Sequence, residues 1–134
     1  MDMANEQRRS ESKPKVAVYG TLKHQFANHA YLEGAKLISV ERIPYFTMYP
    51  CIPQSEQADE RWGYPICVPS DNPENMVHVE VYEIKDDQMF YLLDSLEGYP
   101  RMYQRKLVQT STGEAWIYYQ STKPNTEIIT SGEW

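Results

Sequence analysis

The stretch MVHVEVYEI, residues 76–84, constrains the fold more than any other part of the chain. A valine occupies every second position from 77 to 81, and the alternate positions 78, 80 and 82 carry His, Glu and Tyr. Such alternation is typical of a β-strand that buries one face. We therefore predict a strand here, with Val77, Val79 and Val81 directed toward the core.

The next segment, DDQMFYLLDSLEG (86–98), has the period of an amphipathic α-helix. Asp86 or Asp87 can cap its start, and Gly98 can end it in a left-handed conformation. The predicted apolar stripe has i, i+3, i+4, i+7 spacing and comprises Met89, Leu92, Leu93 and Leu96. We predict that this helix packs its stripe on a sheet.

The remaining apolar runs are short and β-prone, and we predict one further short helix and five more strands. The helix covers residues 24–35, and the strands cover 16–19, 35–43, 45–53, 103–112 and 114–121, the last two forming a hairpin around Gly113. Because strands and helices do not alternate regularly, the pattern argues against a doubly wound parallel sheet. The pattern favours an α+β fold: a small curled mixed β-sheet or barrel with one or two short helices.

The length of 134 residues corresponds to one domain. Residues 1–13 are polar and are predicted to form a disordered N-terminal tail. The predicted domain covers residues 14–122, and residues 123–134 are expected to form a loosely held C-terminal tail.

Composition excludes several functional classes. A net charge of −6 argues against a nucleic-acid partner. No apolar run approaches the ~18 residues of a membrane-spanning helix, and the N-terminus lacks an apolar signal region, so we expect a cytoplasmic protein without membrane association. Cys51 and Cys67 lack zinc-ligand spacing, which predicts no metal site.

Two features suggest chemistry. Glu97 ends the predicted helix, where the helix dipole favours a cation. It is either a solvated surface acid or a partly buried acid near Tyr99 and Tyr103, whose raised pKa suits general acid/base catalysis. The second feature is VAVYGTLK (16–23), a strand followed by a turn at Gly20. Backbone N–H groups of such a turn can hold an anion, although an ordinary loop has the same appearance.

Four blocks occur in order: YGTLK, VEVYEI, LDSLEGYPRMYQR and AWIYY. In these blocks the chain resembles the γ-glutamylcyclotransferase-like superfamily, with the small γ-glutamylamine cyclotransferase type as the most similar subgroup. The resemblance covers residues 15–120. It implies the fold of that superfamily. It also implies an enzyme that closes a γ-glutamyl group to 5-oxoproline and releases the amine attached to it.

Carried over residue by residue, the resemblance implies that Glu97 is the catalytic acid/base. The implied substrate-binding residues are Tyr19, Gly20, Thr21, Leu22, Tyr103 and Tyr118. Tyr119 is an alternative to its neighbour Tyr118. The resemblance implies no cofactor.

The expected partner is a small-molecule γ-glutamyl substrate, and the expected assembly is a monomer or weak homodimer. A non-catalytic module that binds a small molecule or a protein is the alternative function, since a fold does not fix function. A third possibility is removal of a γ-glutamyl protecting group from a metabolite carrier. The leaving amine and the role of residues 45–69 stay open.

Overall fold

The computed structural model describes residues 13–20, 27–51, 64–124 and 127–134. The disordered tail predicted over residues 1–13 lies outside this part of the chain, apart from Lys13. None of the described helices is long and apolar enough to span a membrane.

The described residues form seven strands, one 3-10 helix and one α-helix. In chain order they are β1 (Lys15–Val18), the 3-10 helix (Ala27–Leu32), β2 (Lys36–Pro44), β3 (Phe46–Cys51), β4 (Tyr64–Pro69), β5 (Met76–Glu83), α1 (Asp87–Glu97), β6 (Gln104–Thr110) and β7 (Gly113–Tyr119). The six predicted strands are present. The seventh, β4, was not predicted, and the helix predicted over residues 24–35 is a short 3-10 helix.

Five strands form one mixed sheet in the order β2-β5-β1-β7-β6, and β3 pairs with β4 in a second sheet. The pairing is antiparallel except between the central neighbours β1 and β7, which are parallel. The sheet is curled, because its two edges meet. Glu41 of edge strand β2 accepts hydrogen bonds from the backbone N–H (2.9 Å) and hydroxyl (2.6 Å) of Ser111, in the turn after edge strand β6. The predicted α+β class with a curled mixed sheet is confirmed.

Both faces of the five-stranded sheet are covered. The valines of β5 are each at most 1% exposed, as the alternation predicted. They belong to a cluster that also contains Phe46 and Met48 of β3. On the opposite face, Tyr82 packs in a second cluster with Met89 and Leu93 of α1. Helix α1 therefore packs on this second face, over the central strands.

Helix α1 has the predicted caps but a different apolar stripe. The Asp86 side chain accepts a hydrogen bond from the Met89 N–H at 2.8 Å, and Gly98 ends the helix at φ +67°. Leu92 was predicted to be in the stripe and is instead 45% exposed. The helix is rotated so that Phe90 is partly buried and packs edge-on against Trp116, with their ring centroids 6.1 Å apart.

The C-terminal segment differs from the prediction of a loosely held tail. The Ile129 N–H donates to the Met48 carbonyl at 2.8 Å, and the His78 N–H donates to the Gly132 carbonyl at 2.7 Å. Ile129 and Trp134 also pack against the first core cluster. The expectation failed because these contacts depend on strands β3 and β5, whose backbone groups need partners that sequence pattern does not reveal.

Candidate active site

The predicted site residues that the structure describes lie together at the carboxyl ends of the central strands. Strands β1 and β7 are parallel neighbours, with Val16 opposite Trp116 and Ala17 opposite Ile117. Their carboxyl ends therefore meet, which brings Tyr19, after β1, close to Tyr118 of β7. Burial is the main cause of the raised pKa of both tyrosines, and the charge of nearby Glu97 raises both values further.

Glu97 is the last residue of α1 and is half-buried. Burial raises the pKa of its carboxyl from 4.5 to about 7. The direction agrees with the sequence analysis. A carboxyl with a pKa near 7 exists in both protonation states at neutral pH, so it can accept a proton and return it.

The helix end determines the position of this carboxyl. The Gly98 N–H donates to the carbonyls of Asp94 and Ser95, and the Tyr99 N–H donates to the Asp94 carbonyl at 2.9 Å. These bonds satisfy carbonyls that a helix end leaves unpaired. The N–H of Met102 then returns to the Gly98 carbonyl at 2.8 Å. The chain consequently turns back and enters β6 directly after Tyr103.

The hydroxyls of two site tyrosines form hydrogen bonds with β4, the strand that the sequence analysis did not predict. Tyr19 is 6% exposed; its hydroxyl donates to the Tyr118 carbonyl at 2.6 Å and accepts from the Cys67 N–H at 3.4 Å. The hydroxyl of Tyr103 donates to the Pro65 carbonyl at 3.1 Å. Both rings are thereby fixed in place, and β4 forms a wall of the site.

Gly20 also lies against β4. A Cβ added to Gly20 would lie 2.9 Å from Cγ of Pro65. A close approach of two chain segments therefore accounts for glycine here, not a left-handed φ. Thr21 and Leu22, the other predicted members of the loop, lie outside the described residues.

Tyr118 is a neighbour of Glu97, whereas the alternative, Tyr119, packs against the core cluster on the opposite face of the sheet. The Tyr118 hydroxyl donates to Oδ1 of Asp94 at 2.6 Å. Asp94 in turn forms an ion pair with Arg105, with 3.0 Å between Arg105 Nε and Asp94 Oδ1.

The sequence analysis did not assign Asp94 or Arg105 to the site. One signal was available: Asp94 precedes Glu97 by three positions, which places both carboxylates on one helix face. Among the residues that the structure describes, no three His, Cys, Asp or Glu side chains converge as a metal site requires.

The family model described as "Gamma-glutamyl cyclotransferase, AIG2-like" matches residues 16–134. This match spans nearly the whole chain. The protein belongs to the AIG2-like γ-glutamylcyclotransferase family.

Individual members of the family agree with this assignment. The chain is 36% identical over 121 residues to a Vibrio cholerae protein, and the alignment covers 89% of this chain and 93% of the relative. The name of that relative gives γ-glutamylcyclotransferase as a provisional assignment. The chain is 32% identical over 121 residues to the Escherichia coli K12 γ-glutamylcyclotransferase family protein YtfP, covering 90% and 95%.

Solved structures of family members share the fold. The crystal structure of an uncharacterized Pyrococcus horikoshii protein superimposes with a TM-score of 0.69 at 29% identity, covering 90% of this chain and 88% of that chain. The solution structure of YtfP gives a TM-score of 0.61 at 31% identity, covering 90% and 95%. The resemblance stated from sequence is thus confirmed for family and fold. The roles assigned to Glu97 and the tyrosines stay predictions.

Proposed function

We propose that this AIG2-like family member is a γ-glutamylcyclotransferase that acts on a γ-glutamyl amine or another small γ-glutamyl compound. Its products are 5-oxoproline and the free amine. Family membership supports the general activity. The observation that carries the proposal is a half-buried Glu97 with a pKa of about 7, beside Tyr19 and Tyr118.

The reaction needs one proton acceptor and donor but no protein nucleophile. The α-amine of the substrate attacks its own γ-carbonyl, and a C–N bond forms that closes a five-membered lactam. The bond between the γ-carbon and the leaving nitrogen then breaks. Glu97 takes a proton from the attacking nitrogen and gives one to the leaving nitrogen, so the enzyme ends each cycle unchanged.

Positioning supplies a second contribution. The amine and carbonyl belong to one flexible molecule, so holding it folded lowers the barrier by several kcal/mol, on the order of the gain from other oriented intramolecular reactions. The rings of Tyr19 and Tyr103 are immobilised by their hydrogen bonds to backbone, which gives the site rigid walls. Backbone N–H groups after β1, at Gly20 to Leu22, are the proposed donors to the developing oxyanion.

The test is release of 5-oxoproline, measured by mass spectrometry with γ-glutamyl-ε-lysine, γ-glutamyl dipeptides, glutathione and γ-glutamyl alkylamines as donors. We expect release by the wild type and a loss of about 10²- to 10⁴-fold in Glu97→Gln, as for removal of a general acid/base. Glu114→Gln is the matched control, because this exposed residue lies at the opposite end of β7. The preferred donor would identify the leaving amine.

Two results would contradict the proposal. Folded wild-type protein that releases no 5-oxoproline from any donor would favour the non-catalytic binding module. Equal activity of the Glu97→Gln and Glu114→Gln variants would show that the reaction, if present, does not use Glu97.

A further inference from the structure

The hydroxyl of Tyr118 is bound to the side chain of Asp94, which the proposed reaction does not use. Its oxygen lies 2.6 Å from Oδ1 of Asp94, a short distance typical of a hydroxyl that donates to a carboxylate. Tyr118 is 3% exposed, so water does not compete strongly for this bond. The bond joins the end of β7 to the last turns of α1, between the two elements that carry the site.

Arg105 fixes the orientation of the Asp94 carboxylate. Its Nε donates to Oδ1 at 3.0 Å and its Nη2 donates to Oδ2 at 3.3 Å, so both carboxylate oxygens are held. The guanidinium is itself surrounded by aromatic rings. Its central carbon lies 4.7 Å from the ring centroid of Phe90, 4.3 Å from that of Tyr99 and 4.4 Å from that of Trp116. This environment suits a planar guanidinium better than an ammonium.

The ion pair of Asp94 and Arg105 determines which hydrogen bonds Tyr118 can form with a substrate. A phenol has one hydrogen, and here Asp94 accepts it, so the oxygen can only accept from any further partner. Burial and then the bond to Asp94 raise the pKa of Tyr118, which keeps it a neutral phenol at physiological pH. A substrate carboxylate offers no hydrogen to this oxygen, whereas a substrate amino group does.

Building on the proposed function, we propose that Asp94 and Arg105 are positioning residues: they orient the Tyr118 hydroxyl so that its oxygen accepts a hydrogen bond from the α-amino group of the γ-glutamyl substrate. The amino group is then held beside Glu97, which takes its proton. Arg105 acts through Asp94, and Asp94 acts through Tyr118.

A double-mutant cycle in 5-oxoproline release tests this chain of action. We expect Tyr118→Phe and Asp94→Ala each to lower kcat/KM by about 10- to 100-fold, the range for loss of a hydrogen bond to a charged group. In the Tyr118→Phe background, Asp94→Ala should change kcat/KM by less than about twofold, because the two residues act as one unit. Alanine is a good helix former, so α1 should persist.

Two further variants separate positioning from general stability. Asp87→Ala makes the same substitution at an exposed position in the first turn of α1 and should leave kcat/KM unchanged. Arg105→Lys keeps the charge but cannot bind both carboxylate oxygens in plane, so it should lower kcat/KM by about tenfold, somewhat less than Asp94→Ala.

Proton NMR gives a readout that needs no turnover. The wild type should show a downfield, slowly exchanging hydroxyl proton that is absent in Tyr118→Phe, lost in Asp94→Ala and retained in Asp87→Ala. A wild type with this proton but without 5-oxoproline release would overturn the proposed function and support the geometry of positioning. Independent, multiplicative effects of Tyr118→Phe and Asp94→Ala would overturn the positioning role. So would a hydroxyl proton that survives Asp94→Ala.

Discussion

At the residue scale, the buried carboxyl of Glu97 lowers the stability of the fold at neutral and higher pH. Burial raises the pKa of its carboxyl from 4.5 to about 7, so the folded protein holds this proton more tightly than the unfolded chain. The stability gained by holding this proton is therefore fully present below pH 4.5, the ordinary pKa, and is lost as pH rises through 7. Such a cost is typical of functional sites and is consistent with the proposed role of Glu97.

We therefore predict that Glu97→Gln is more stable than the wild type at pH 8 and nearly equal to it at pH 5. One pKa unit corresponds to about 1.4 kcal/mol, and solvent reaches part of this side chain, so the gain at pH 8 should be about 1–2 kcal/mol. Urea unfolding at the two pH values measures it. The exposed Glu114→Gln control should show no such pH dependence. A Glu97→Gln variant that is less stable at pH 8 than the wild type would contradict the prediction.

Individual site residues differ in how well sequence could predict them. Glu97 was predictable because a carboxylate at a helix C-terminus breaks a local rule, and a local rule is visible in sequence. The bonds that connect Asp94, Arg105 and Tyr118 were not predictable, because they join α1, β6 and β7 only after these elements pack. The ligand contact expected at Gly20 stays a prediction, and the structure shows that this residue packs against Pro65.

At the element scale, the two ends of α1 should contribute differently to function. Asp86 caps the start of the helix, and Gly98 ends it directly after Glu97. We predict that Asp86→Ala destabilises the protein by about 1 kcal/mol, as for other lost N-caps, and leaves kcat/KM close to the wild-type value.

Gly98→Ala should lower both stability and activity. The residue has φ +67°, and an added Cβ would lie 3.0 Å from Cβ of Met102. We expect a loss of about 1–2 kcal/mol together with a lower kcat/KM, because Glu97 must shift with the helix end. Urea unfolding and kinetics of both variants measure these effects. An equal loss of kcat/KM in Asp86→Ala and Gly98→Ala would show that the helix end has no special role.

Most elements were visible in sequence, and the exceptions have a physical reason. β5 and α1 were predicted because each has a clear apolar period and, for α1, two caps. β4 was missed because YPICVP has prolines at two of its six positions. Among the described strands, β4 pairs only with β3, and its two prolines lie two positions on either side of Cys67, on the same side of the strand. The Cys67 N–H bonds to the Tyr19 hydroxyl and not to β3, so a missing N–H on this side breaks no ladder.

At the scale of the whole molecule, the C-terminal segment, residues 127–134, is bonded to strands β3 and β5 and packs against the first core cluster. Gly132 has φ +68°, and an added Cβ would clash with the backbone carbonyl oxygen of Met76. We predict that Gly132→Ala destabilises the protein by about 2 kcal/mol or more, since strain and a backbone clash combine. The neighbouring Ser131→Ala variant, at an exposed position, should be within about 0.5 kcal/mol of the wild type.

Thermal unfolding and amide hydrogen exchange measure this effect. The amide of His78 donates to the Gly132 carbonyl, so it should lose protection in Gly132→Ala and keep it in Ser131→Ala. An unchanged midpoint and unchanged His78 protection in Gly132→Ala would mean that the segment contributes little to the fold.

The parallel pairing of β1 with β7 also governs when the site can exist. It places residue 16 beside residue 116, so a loop of about three quarters of the 134 residues must close when the pair forms. Pairings this distant in sequence slow folding. The β6–β7 hairpin and α1 contain only local contacts and can form earlier, but neither contains Tyr19. A chain emerging from the ribosome therefore has no complete candidate site until β7 has been synthesised and can pair with β1.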